Sequence, residues 1–277
     1  FVEAAVNDRV NGTNETTQRR AMEGIIRHAF KANPQVNIVL MAFVDEDKMA
    51  DYHAGKIPVE VQVHEDLAKK YHLPFINLAK EITTRIDAHE FTWKDDFKDL
   101  LPAPFGQHIY FNAIKRLLEA EFNKPAPRRL KAAKLPAPAD PRNYENGAYG
   151  DVHAATNRNG FSIVESWRPS DKVSTREGFV NVPMLVSGKA HATVQFPFTG
   201  RTVGIAIVSG PDAGVITYRI DGGAAQTKDL RTQWSKSLYL PWYLVLGDDL
   251  APGAHTLTIE TGDSAEVTRI VHLQENK

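Results

Sequence analysis

The feature that most constrains this chain is a change of hydrophobic period part-way along it. Before residue 123 the apolar positions recur with strand and helix spacing in turn, and from residue 151 they alternate with a period of two. Between the two lies a stretch, 123–150, in which Pro125, Pro127, Pro136, Pro138 and Pro141 interleave with Arg128, Arg129, Lys131 and Lys134. Proline removes a backbone donor and stiffens the chain, so this stretch reads as a semi-rigid, solvated, basic linker. The pattern divides the 277 residues into an α/β domain over 1–122, a linker over 123–150 and an all-β domain over 151–277.

In the first part Phe1 to Val6 reads as a strand ending at Asn7-Asp8. Met22, Ile25, Ile26, Ala29 and Phe30 have helical spacing within residues 14–32, with Thr13 or Asn14 as N-cap. Val36 to Val44 is continuously apolar, as a strand buried on both faces should be. A helix over 58–71, a strand over Pro74 to Leu78 and a helix over 105–122 complete an alternation that implies a parallel sheet covered by helices. Beyond the linker, candidate strands fall at 161–167, 180–186, 190–196, 202–208, 214–220, 238–246, 254–260 and 266–273, with turns at Asp221-Gly222-Gly223 and Pro252-Gly253. Eight short strands without an intervening helix predict an antiparallel β-sandwich of jelly-roll type.

Composition removes several classes of function. The chain has no cysteine, which excludes disulfides, thiolate metal sites and cysteine nucleophiles. Thirty-three Lys and Arg against 34 Asp and Glu leave no electrostatic reason to expect nucleic acid or anionic lipid as a partner. No run approaches the length of a membrane-spanning helix. A zincin site fails because Ala68 stands four residues after His64, where a second histidine would be needed. No P-loop, dinucleotide fingerprint or Gly-x-Ser-x-Gly elbow is present, so no cofactor is expected.

Two segments carry the chemistry. Asn7-Asp8 follows the first predicted strand, and in open parallel sheets ligands bind beyond the carboxyl ends of the strands. An asparagine there can donate to a developing oxyanion. The second segment is Phe91 to His108, a Pro- and Gly-rich loop running into the last helix of the α/β part. Ala4-Ala5-Val6-Asn7-Asp8 resembles the third block, Gly-x-Asn-Asp, of the SGNH/GDSL serine esterases and acylhydrolases, and Asp99-Leu100-Leu101-Pro102-Ala103-Pro104-Phe105-Gly106 resembles their fifth block. Arg19 to His28 is similar to the first helix of a bacterial subgroup with a C-terminal β-domain. The resemblance implies a flavodoxin-like three-layer domain and a serine ester hydrolase acting on an acylated carbohydrate or small ester, with Asn7 as oxyanion donor. It also implies an orienting acid, for which Asp99 and Asp96 both qualify, and secretion or a periplasmic site.

The departures from the family pattern are equally specific. The Gly-Asp-Ser block that carries the nucleophile is absent, so the chain reads as N-terminally truncated, opening at Phe1 in mid-domain. Leu101 occupies the position of the catalytic histidine, and leucine cannot take the serine proton. His108 is the nearby substitute base. Asp8, Trp93 and Trp234 are the candidate substrate contacts; Trp167, Trp242 and Tyr239 are further aromatics able to pack on a sugar face. Two functions therefore stay open: an esterase of an O-acetylated glycan, or an inactive relative that binds glycans.

Overall fold

Two side chains end the first strand almost as soon as it begins. His64 accepts the Ala4 amide and Glu3 Oε1 accepts the Val6 amide. With those donors turned away from a ladder, β1 is only Val2–Glu3, and the chain enters helix α1 at Ala5–Val10. The expectation of a strand through Val6 is corrected on this point. The apolar run 36–44 is likewise shortened, because the Phe43 amide donates to Glu3 and the Val44 amide to the Tyr110 hydroxyl. The paired part, β2, is Leu40–Ala42.

The computed structural model describes residues 1–125, 132, 134–264 and 266–277, which divide into units 1–145 and 146–277. In the first unit α2 is Glu15–Ala32, capped by Asn14 through the Thr17 amide. Then follow α3 (Glu46–His53), α4 (Val59–Tyr71), β3 (Phe75–Asn77), α5 (Leu78–Asp87) and α6 (Pro104–Phe122). The sheet is parallel, in the order β1-β2-β3, as the strand–helix alternation predicts. Successive β2 side chains point to opposite faces. Leu40 packs with Met22 and Ile26 of α2 and Leu67 of α4. Met41 packs in the other core, with Leu78 and Ile82 of α5 and Ile109 of α6.

Residues 135–145, read from sequence as solvated linker, instead pack on α2. Three charged residues of that helix are buried and bind the segment. Arg20 Nε donates to Asp140 at 2.7 Å, and Arg27 donates to Glu145 at 2.6 Å and to the Pro136 carbonyl at 2.8 Å. Glu23, fully buried, accepts the Ala139 and Asp140 amides. Gly24 permits the close approach, since a Cβ there would lie 2.8 Å from the Tyr144 carbonyl carbon. Pro127, Arg128, Arg129 and Lys131 lie outside the described residues.

The second unit contains β4 (Gly147–Gly150), β5 (Thr156–Asn159), β6 (Ser162–Val164), β7 (Ser174–Thr175), β8 (Met184–Ser187), β9 (Thr193–Gly200) and β10 (Thr202–Ser209). It continues with β11 (Val215–Ile220), β12 (Gln226–Asp229), β13 (Leu238–Gly247), β14 (Gly253–Thr261) and β15 (Thr268–Asn276). One sheet runs β6-β8-β15-β10-β13-β7, with β4 also on β15; the other runs β12-β11-β14-β9-β5. Pairing is antiparallel except between β13 and β7. Side chains two apart on strands of both sheets form one core, including Val194 and Phe196, Ile205 and Ile207, and Leu257 and Ile259. Asp221 and Gly222 both take left-handed φ, 52° and 68°, in the turn after β11, as the Asp-Gly-Gly sequence predicts.

Eight of the strands, β6, β8 to β11 and β13 to β15, were legible; β4, β5, β7 and β12 were not. Strand β10 is buried on both faces. Ile205 and Ile207 enter the shared core, while Val208 lies under Trp167, Met184, Tyr239 and Val271. Trp167 and Tyr239 are therefore buried, and neither presents a face to a sugar.

Candidate active site

Three segments converge beyond the carboxyl ends of β1 and β2, where an open parallel sheet places its ligands. Helix α1 brings Arg9 and Val10. The start of α3, just beyond β2, brings Asp45, Glu46 and Asp47. The loop between α5 and α6 brings Trp93, Lys98, Asp99 and Leu100. Together these residues line a cleft of about 320 Å³.

Each wall has a local cause. Asp45 caps α3, accepting the Lys48 amide at 2.8 Å with one oxygen and the Lys48 ammonium with the other. Lys48 is fully buried, so the pair fixes the position of Asp45. Arg9 donates to Asp51 at 2.9 Å and lies 3.6 Å from Glu60 and 3.8 Å from Asp47. In the loop, Thr92 and Asp96 close a π-helical turn, Trp93–Phe97: the Asp96 carboxylate accepts the Thr92 amide, and the Thr92 hydroxyl accepts the Asp95 amide. The Trp93 ring stacks on Phe97 at 5.0 Å, and Phe97, fully buried, meets the edge of Tyr110. Gly106 at the start of α6 makes room, since a Cβ there would lie 2.6 Å from Pro102 and 2.7 Å from the Phe97 ring. The stack leaves Trp93 half-buried on the cleft wall.

The structure brings together two of the candidates read from sequence. Asp99 and Trp93 share the cleft. Asn7 and Asp8 stand in α1 and are not among the lining residues, which corrects their expected position in a loop at a strand end. Asn7 is exposed; Asp8 is half-buried. His108 is exposed on α6, its Nδ1 3.2 Å from the Asn112 amide nitrogen and its ring against Phe111, and it does not line the cleft either. Leu101, 79% exposed, points its side chain at solvent. In the second unit Trp234 is 39% exposed and rests on Trp242 at 5.7 Å. Sequence reading missed Arg9, Asp45 and Asp47. Asp45 carried a usable signal, as the first acid after a long apolar run.

Further carboxylates lie near the cleft, outside its lining. Burial pushes the Asp8 carboxyl up to about 6, helped by the neighbouring charges of Glu60 and Glu3. Burial also raises Glu3, against the amides it accepts. The walls carry Asp45, Glu46, Asp47 and Asp99 against Arg9 and Lys98, so the cleft disfavours anions. No cluster of three metal-ligating side chains occurs among the described residues, and no helix there is long and apolar enough to cross a membrane. Chemically, a fixed indole face rimmed by hydrogen-bond acceptors suits a neutral polyhydroxylated ligand.

No protein-family model matches the chain, and no curated protein matches its sequence. A crystal structure of a two-domain esterase (CEX) active on acetylated mannans superposes on 92% of the chain with a TM-score of 0.72 at 16% identity. The chain has the fold of a two-domain esterase. A second structure of CEX, co-crystallised with mannopentaose, covers 92% of the chain with a TM-score of 0.70. The two-domain esterase fold is thus followed through both units, and the chain spans about two thirds of the length of CEX, 67% and 66% in the two structures. A family two carbohydrate esterase from Cellvibrio japonicus matches 44% of the chain at a TM-score of 0.29 and 14% identity.

Proposed function

We infer that this chain belongs to a carbohydrate esterase of SGNH/GDSL type, acting on an O-acetylated glycan. The observation that supports this most is the cleft itself. On a chain that follows a two-domain esterase over 92% of its length, the fifth-block loop meets the carboxyl ends of the parallel strands, and Asp99 and Trp93 share one wall. The first unit is read as a flavodoxin-like domain and the second as a jelly-roll-type sandwich, the latter supported by the core common to its two sheets. Trp93 would pack against the C–H face of a pyranose, and Asp47 and Asp99 would accept its hydroxyls. Asp99 is the candidate orienting acid. Trp234, exposed in the second unit, is a candidate second stacking ring. Acetylated mannan is the first substrate to try, since CEX acts on acetylated mannans.

A second reading has its own support. The cleft's lining offers no serine, threonine or histidine, and Leu101 stands where the family pattern has its base. These favour glycan binding without hydrolysis by the residues present. The test is acetate release from acetylated mannan, run on this chain and on any longer natural form of it, with titration of mannopentaose in parallel. Release, abolished by Asp99→Asn, supports the esterase reading. Binding with no release supports the second. Neither binding nor release would overturn both.

A further inference from the structure

His64 on α4 is fully buried, and its two ring nitrogens have fixed and opposite roles. The Ala4 amide lies 3.3 Å from Nε2. A backbone amide can only donate, so Nε2 carries no proton. The proton sits on Nδ1, which faces the Glu60 carbonyl at 2.7 Å. This arrangement exists only for the neutral ring, because an imidazolium would set one N–H against another at Ala4. Ala4 immediately precedes α1, and α1 carries Arg9 and Val10 to the cleft. We propose that His64 is a positioning residue that holds α1, and with it the Arg9 wall of the cleft, only while its imidazole is neutral, so that acid loosens this wall.

The surroundings agree. Burial holds the His64 pKa below its ordinary value, and the Lys48 ammonium of α3 adds to this, against the Glu60 carbonyl. Glu3 of β1 and Asp8 of α1 face the same ammonium. Arg9 of α1 lies against Glu60, and Arg19 of α2 is engaged by Asp66. Strands β2 and β3 bring no ionisable side chain. Acidification neutralises Asp8 near pH 6, removing a negative charge from the cluster and leaving Lys48 to oppose the imidazolium more strongly. Because the folded-state pKa of His64 is lowered, its contribution to stability begins to be lost as pH falls below the ordinary histidine value, and the loss is complete below the folded-state pKa.

The consequence for ligand binding rests on the glycan reading of the cleft; the latch itself does not. The test uses nitrogen-15 spectra of the histidine rings and hydrogen exchange of the amides in residues 4–10. His64 is expected as the Nδ1-protonated tautomer near neutral pH, assigned by its disappearance in His64→Gln. Protection of residues 4–10 should drop about fivefold to tenfold between about pH 7.5 and about pH 5, after correction for intrinsic exchange. Amides of α6 serve as the control for global unfolding.

In His64→Gln an amide oxygen can accept the Ala4 N–H without titrating, so the acid-driven loss of protection should disappear, leaving only the opposite and smaller response of Asp8. His64→Asn can still donate to Glu60 but does not reach Ala4, and should be poorly protected at both pH values. An Nε2-protonated tautomer, or an acid-driven loss of protection retained in His64→Gln, overturns the proposal. If the latch behaves as stated while mannopentaose binds at no pH, the glycan reading alone fails.

Discussion

Substituting Gly106 by alanine tests whether the base of the loop sets the position of Trp93. The added Cβ would sit 2.6 Å from Pro102 Cβ and 2.7 Å from two Phe97 ring carbons. Ordinary carbon contacts are about 3.5–4.0 Å, so the loop must retreat by about 1 Å. Overpacking of this kind costs about 1–3 kcal/mol, and replacing glycine in a helix returns at most about 1 kcal/mol. The net expectation is a loss of about 1–2 kcal/mol, which lowers the midpoint of a unit of residues 1–145 by about 3–6 °C. Trp93 is the one tryptophan in that unit, so fluorotryptophan labelling reports on it directly through its fluorine resonance. The resonance should shift in Gly106→Ala, and Phe97→Leu should absorb part of the cost, leaving a coupling of about 1 kcal/mol in the double-mutant cycle. A variant at least as stable as the parent, with an unmoved Trp93 resonance, would refute the account of how this wall is built.

Other outcomes follow from the same structure. Trp93→Ala should weaken mannopentaose binding about tenfold by calorimetry, with Trp93→Phe retaining most of the affinity. Lys48→Met leaves Asp45 without its buried partner and should cost about 3 kcal/mol in chemical denaturation, with Asp45→Asn in the same chain recovering part of it. Asp8 has a raised folded-state pKa, about 6 against 3.8, so its contribution makes the folded state less stable as pH rises between those values. Asp8→Asn should flatten that part of the stability profile. Arg27→Ala removes three bonds, to Glu145, Pro136 and Tyr71, and should open 135–145 to limited proteolysis.

What could be read from the sequence depended on whether backbone or side chains decided the matter. Period and turn chemistry located α2, α4, α6 and eight of the β-strands, most of them long enough for the burial pattern to repeat over several turns or residues. The first strand was misjudged because its end is set by His64, sixty residues away, and no local pattern announces that. The linker was misjudged for a similar reason. Its prolines are genuine, but Arg20, Glu23 and Arg27 look like an exposed helix face until the segment that binds them is known. Asp99 was singled out through the resemblance of 99–106 to a family block, and Trp93 as an aromatic of the same loop. Arg9 and Asp47 belong to no such block, and only the fold brings them to the same cleft.

The pairing of β4 with β15 sets the order in which the second unit can be made. Gly150 pairs with Leu273 and Gly147 with Asn276, while β10, the middle of the same sheet, also needs β15 along one edge. During synthesis, therefore, the earliest strand of the unit has no partner until the last has left the ribosome. Contacts this far apart in sequence make folding slow. Until then the five-stranded sheet can form, because all its strands precede β15, with one apolar side uncovered. The interval exposes that surface to aggregation, and a chain shortened by only the residues of β15 should lose the whole larger sheet rather than one edge of it.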